Sequence, residues 1–110
     1  METLTLAERE RLIKLNEELS ETIERMGLLI QAMGKANQAV CKALLHGYNA
    51  TFEDITYDNR DDIMRELGDV EAILELMIKR GDLNRETIAN YRDDKSSKLS
   101  RYLKHQNGTS

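Results

Sequence analysis

Proline is absent from all 110 residues, and aromatic residues make up only 5% of the chain. A sequence that never uses the residue that breaks helices and strands alike favours long helices. Cysteine occurs once, at Cys41, which excludes an internal disulfide and predicts a reducing, cytoplasmic home. Cys41 itself reads as a small buried hydrophobe rather than a reactive thiol. No leader-like segment and no long apolar run is present, so no membrane association is expected. Basic charge is in short supply too. The net charge of −4 argues against holding nucleic acid or an anionic membrane by bulk electrostatics. Asn49-Ala50-Thr51 and Asn107-Gly108-Thr109 match the glycosylation tripeptide, a match without meaning unless the chain is exported.

What the chain does have is charge, at 33%, and a hydrophobic fraction of 40%. That length allows one domain, 1–110, with a modest core, and small domains bury a lower share of their surface. The expected fold is all-α: a helical bundle of one long and two shorter helices, completed by oligomerisation into a dimer or tetramer. Thr5 with Glu8 forms a capping box that opens a helix running to about Leu45. Leu12, Leu19, Met26, Met33 and Val40 recur every seven residues, and Ile23, Ile30 and Leu44 fill most of the intermediate positions. This is an a/d seam with polar breaks at Asn16 and Asn37, long enough to predict a helix pairing along its length. Gly27 and Gly34 are its weak points, each costing about 1 kcal/mol relative to alanine. The seam continues across Gly27, which favours one long helix over a break there.

His46-Gly47 reads as a stop, and 48–58 as a loop. The second helix opens at Asp58 or Asn59 and runs to about Lys79. Its apolar stripe is Ile63, Leu67, Val70, Leu74 and Met77, and Arg80-Gly81 closes it with a cation and a glycine. Asn84 with Glu86 starts a third helix carrying Ile88, Tyr91, Leu99, Tyr102 and Leu103. Residues 105–110 read as a frayed tail.

Three clusters bear on chemistry. Asp62, Glu66 and Asp69 fall at i, i+4 and i+7 beside the second stripe, where like charges repel unless a cation intervenes. Oxygen donors select a hard ion, magnesium or manganese; the plain alternative is a solvated acidic face. Glu17, Glu18, Glu21 and Glu24 form a second acidic row, with Lys14 and Arg25 near enough to ion-pair it. Lys95, Lys98 and Arg101 lie on the third helix. They serve either as stems covering apolar surface or as cations aimed at a polyphosphate. His46 and His105 are isolated from any nucleophile.

Glu66-Leu67-Gly68-Asp69-Val70, preceded by Asn59-Arg60, resembles the ExxD helix of the MazG-like nucleotide pyrophosphohydrolases. Gln38 to Tyr48 is similar to the segment that ends their preceding helix, and Lys95-Ser96-Ser97-Lys98-Leu99 to their lysine-bearing last helix. The resemblance covers most of 12–105. It implies an all-α fold and a site where EExxE faces ExxD and holds magnesium ions. Those ions bind a nucleoside triphosphate and activate a water, releasing a monophosphate and pyrophosphate. Carried over, Glu17, Glu18 and Glu21 would be catalytic. Glu18, Glu21, Glu66 and Asp69 would hold the metal, and Lys95, Lys98 and Lys35 would contact the substrate.

The first motif departs from the pattern. Counting back from His46-Gly47-Tyr48, the expected place of EExxE holds Gln31-Ala32-Met33-Gly34-Lys35, and Glu17-Glu18-Leu19-Ser20-Glu21 stands fourteen residues earlier. On a straight helix that offset is about 21 Å, close to four turns. Three readings follow. One is a magnesium-dependent pyrophosphohydrolase. The second is a catalytically silent relative acting as an oligomeric binding or regulatory protein, and the third an unrelated acidic coiled-coil adaptor.

Overall fold

The structure, a computed structural model, describes residues 3–50 and 58–105. Most of the expected loop and the tail 106–110 lie outside the described residues. The rest is helical: α1 spans Leu6–His46, α2 Asn59–Lys79 and α3 Arg85–Lys98, and a 3-10 turn follows over Leu99–Arg101. No strand occurs among the described residues. The chain is all-α, and it divides into two compact units, Met1–Leu76 and Met77–Ser110.

In the first unit α1 is one unbroken helix of 41 residues, about 61 Å long. Thr5 caps it, its hydroxyl accepting from the Glu8 amide at 3.1 Å, as the capping box predicts. The helix passes through Gly27 and Gly34 without a break. At its far end the Gly47 amide donates to the Ala43 carbonyl at 2.6 Å, and Gly47 sits at φ 87°, ψ 160°. That region is closed to side chains with a Cβ, so glycine is required there.

The return to α2 is fastened by three bonds. Asn59 Nδ2 donates to the Gly47 carbonyl at 2.9 Å. The Asn59 amide donates to Ala50 at 3.2 Å and the Arg60 amide to Tyr48 at 2.9 Å. Asn59 is only 2% exposed. A buried amide must be bonded, and this one joins the end of α1 to the start of α2.

The face of α1 that packs is not the seam. Its buried residues are Ala32, Ala36, Ala39 and Ala43, a row of small side chains at helical spacing. Lys42 pairs with Asp62, Lys35 shares a groove with Glu66, and Leu28 shares the next with Ile73, so α2 runs antiparallel to α1. The a/d residues stay open: Leu19 is 58% exposed, Ile30 73% and Leu44 83%. From Leu6 to Glu21 every residue of α1 is exposed. Cys41, expected inside, is exposed as well. It lies off the alanine row, the side of α1 that α2 covers.

The expected stripe of α2 is covered at four of its five positions: Ile63, Val70 and Leu74 are half-buried and Met77 is buried, with Asn59, Glu66 and Ile73 covered beside them, while Leu67 is 47% exposed. The second unit holds the end of α2 and α3. Gly81, at φ 85°, bends the chain after Lys79. Asn84 caps α3 by accepting from the Thr87 amide at 2.9 Å. The third helix ends at Lys98, short of the expected Tyr102 and Leu103. The run beyond it tightens into a 3-10 turn, a common way for a helix to finish.

Candidate functional site

The hairpin of α1 and α2 carries two adjoining grooves along its polar side. The first, about 440 Å³, is lined by Lys35, Gln38, Ala39, Lys42, Asp62 and Glu66. The second, about 240 Å³, continues along the same helices and includes Gln31, Ala32, Lys35, Asp69 and Ile73. Lys35 lines both. The acidic row of α2 therefore faces Gln31, Ala32 and Lys35, the residues that stand where EExxE was expected. The cause is local. The three bonds at Gly47, Tyr48 and Ala50 fix how α2 starts against α1, and one residue of α2 then answers one of α1 in reverse order.

Glu66 is drawn furthest in. It holds a covered position between Ile63 and Val70, and its Oε2 is buried with no hydrogen-bond partner. Asp69, three residues on, is exposed. Asp62 is ion-paired to Lys42 at 3.8 Å and to Arg65 at 3.7 Å. Partly exposed pairs of this kind contribute about 0.2–1 kcal/mol each, so they orient side chains more than they stabilise the fold.

The remaining candidates lie elsewhere. Glu17, Glu18 and Glu21 are exposed on the first half of α1, and none of them lines either groove. Because α1 is continuous, the fourteen residues between Glu21 and Lys35 are about 21 Å of helix. In the second unit, Lys95 lies over the Tyr102 ring, its Nζ 4.3 Å from the centroid, a cation–π contact. Lys98 is ion-paired to Asp94 at 3.1 Å.

Does this donor set suit a divalent cation? Among the described residues, no three His, Cys, Asp or Glu side chains come together as a metal cluster. Magnesium asks for six oxygens around it in near-octahedral order. The groove offers Glu66, Asp62 and Asp69 alongside the ammonium groups of Lys35 and Lys42. Within one chain these residues do not fit the metal.

A separate apolar cleft of about 760 Å³ opens at the hairpin's closed end, lined by residues that include Val40, Leu44, Tyr48, Arg60 and Met64. Arg60 stands 4.9 Å from the centroid of the Tyr48 ring. Neither Lys42 nor the Asn59–Gly47 bond has a signature in the sequence, because the partner of each lies on another element and the i, i+4 rule reveals only partners on the same helix. Comparison with protein-family models, curated proteins and solved structures finds no match. No helix among the described residues is long and apolar enough to cross a membrane.

Proposed function

We propose that this chain is an oligomeric, MazG-like helical protein that is catalytically silent and serves as a binding or regulatory module in the cytoplasm. One observation carries the reading: Lys35 lines the grooves that hold Glu66 and Asp69. Lys35 forms no ion pair with either carboxylate, but an ammonium group lining the same grooves opposes a second cation there. The exposed a/d seam supports the oligomeric part. A contiguous apolar stripe on a soluble helix is a site for association. The test is a pyrophosphate-release assay across nucleoside triphosphates, with and without magnesium or manganese, at a protein concentration where light scattering fixes the mass. Release at background level together with a mass above 12.7 kDa is the expected result. Robust, Glu21-dependent release would overturn it.

A second reading is favoured by the unpartnered Oε2 of Glu66. A buried carboxylate oxygen without a donor calls for a cation. In this reading the chain is a nucleotide pyrophosphohydrolase whose acidic segment, Glu17, Glu18 and Glu21, reaches Glu66 and Asp69 of another copy. Lys35 would then contact the phosphates. Loss of metal-dependent release on Glu66→Gln would support this reading; the silent protein has no release to lose.

A further inference from the structure

The seam of α1 keeps one heptad phase from end to end, because the helix never breaks. Leu12, Leu19, Met26, Met33 and Val40 take the d positions, and Asn16, Ile23, Ile30, Asn37 and Leu44 the a positions. The alanine row that α2 covers falls at c and g, on a different side of the helix. Two faces of one helix thus serve two purposes: the small residues receive α2, and the large apolar residues remain open.

We propose that this open seam pairs with the same seam of a second copy, the two α1 helices running parallel and in register. The proposal rests on the oligomeric reading above and names its partner and geometry. Area is the first argument. Leu12 to Leu44 spans about 48 Å of helix, and an apolar stripe some 100° wide is about 10 Å across. Each copy then offers about 500 Å², and the pair about 1,000 Å², the size at which an interface becomes specific. A patch of that extent is at the large end of what a monomer exposes and is often an interaction site.

Residue type at each position sets the orientation. Ile23 and Ile30 at a, with Leu12 and Leu19 at d, is the arrangement that favours two parallel strands. Asn16 and Asn37 argue more strongly. In register and parallel, each faces its own copy, and two amides in one layer hydrogen-bond to each other. An antiparallel pair of full overlap sets Asn16 against Val40 and Asn37 against Leu19, leaving four amides against hydrocarbon. The flanking e positions Ser20, Gly27, Gly34 and Cys41 are small and uncharged, so nothing there opposes a close approach.

The arrangement bears on the candidate site. Glu17, Glu18 and Glu21 fall at b, c and f, turned away from the partner helix. In register, the partner's acidic segment also sits at the height of its own copy, so pairing through the seam does not carry it to the grooves.

Disulfide trapping on the full chain tests the inference. Cys41→Ser removes the native thiol, and Leu12→Cys places a new one at a d position near the start of α1. After mild oxidation, most of the protein should run as a covalent dimer, because parallel in-register d positions face each other. Leu19→Cys in the same background gives an independent second position. A non-covalent dimer that traps at neither site overturns the parallel register while leaving the oligomeric reading intact. A monomer mass for the unmodified chain overturns both.

Discussion

Asn59 offers the sharpest test of how the hairpin is held. Its side chain is 2% exposed and its Nδ2 donates to the Gly47 carbonyl at 2.9 Å. Asn59→Ala removes the bond and leaves that carbonyl without its donor. Gly47 is exposed and the bond part-buried, so water can reach the freed carbonyl and the expected loss is that of one net hydrogen bond, about 1 kcal/mol. For a domain of this size that lowers Tm by about 5 °C. Asn59→Asp should be worse, since an anionic oxygen then faces the carbonyl oxygen from a buried position. Lowering the pH should restore part of that loss as the new carboxyl takes a proton and becomes a donor. Urea and thermal melts followed by circular dichroism read all three effects, at one fixed protein concentration because association shifts apparent stability. An Asn59→Ala change under about 0.5 kcal/mol, or an Asp variant no less stable than the Ala variant, would show that the clasp does not hold the hairpin.

Two further outcomes follow from the grooves and from α1. Magnesium at millimolar concentration should leave the Tm of the native chain unchanged, whereas Lys35→Glu with Ala32→Glu should produce a magnesium-dependent rise. The pair of substitutions adds two oxygen donors and removes a cation, and a ligand that binds only the folded state stabilises by mass action. A rise in the native chain would contradict the charge argument for Lys35. Gly27→Ala and Gly34→Ala should each stabilise by about 1 kcal/mol, as an added Cβ meets nothing within 4 Å at either position. Destabilisation that grows with protein concentration would instead show that a partner helix approaches those glycines more closely than a methyl group allows.

Much of the fold was legible in local signals. Thr5 with Glu8, Asn84, Gly47 and Gly81 mark helix ends through chemistry that acts within four residues, and each end lies where those residues put it. The packing was less legible. The heptad seam is the strongest pattern in the sequence, yet inside the chain α2 lies on the alanine row, because small side chains let two helix backbones come close. A stripe of alanines barely registers as apolar beside leucine and isoleucine. Glu66 was legible as part of an acidic row, but not as the member whose Oε2 is buried; of the expected stripe, Ile63, Val70, Leu74 and Met77 are covered and Leu67 is exposed. The groove neighbours of Glu66 follow from counting along α1, and that count holds only because the helix is continuous.

The spacing of the acidic segment can be weighed against the seam itself. Fourteen residues separate Glu21 from Lys35, and fourteen is two heptads. A displacement by whole heptads moves the acidic letters along the helix without disturbing the phase of a and d. Any other displacement would have broken the line from Leu12 to Leu44. For a groove between α1 and α2 the same displacement is decisive in the opposite sense, since about 21 Å lies far beyond the reach of a shared metal ligand. On the reading proposed above, the offset therefore keeps the phase that pairing of α1 uses and places the acidic segment too far along α1 for a metal site within one chain.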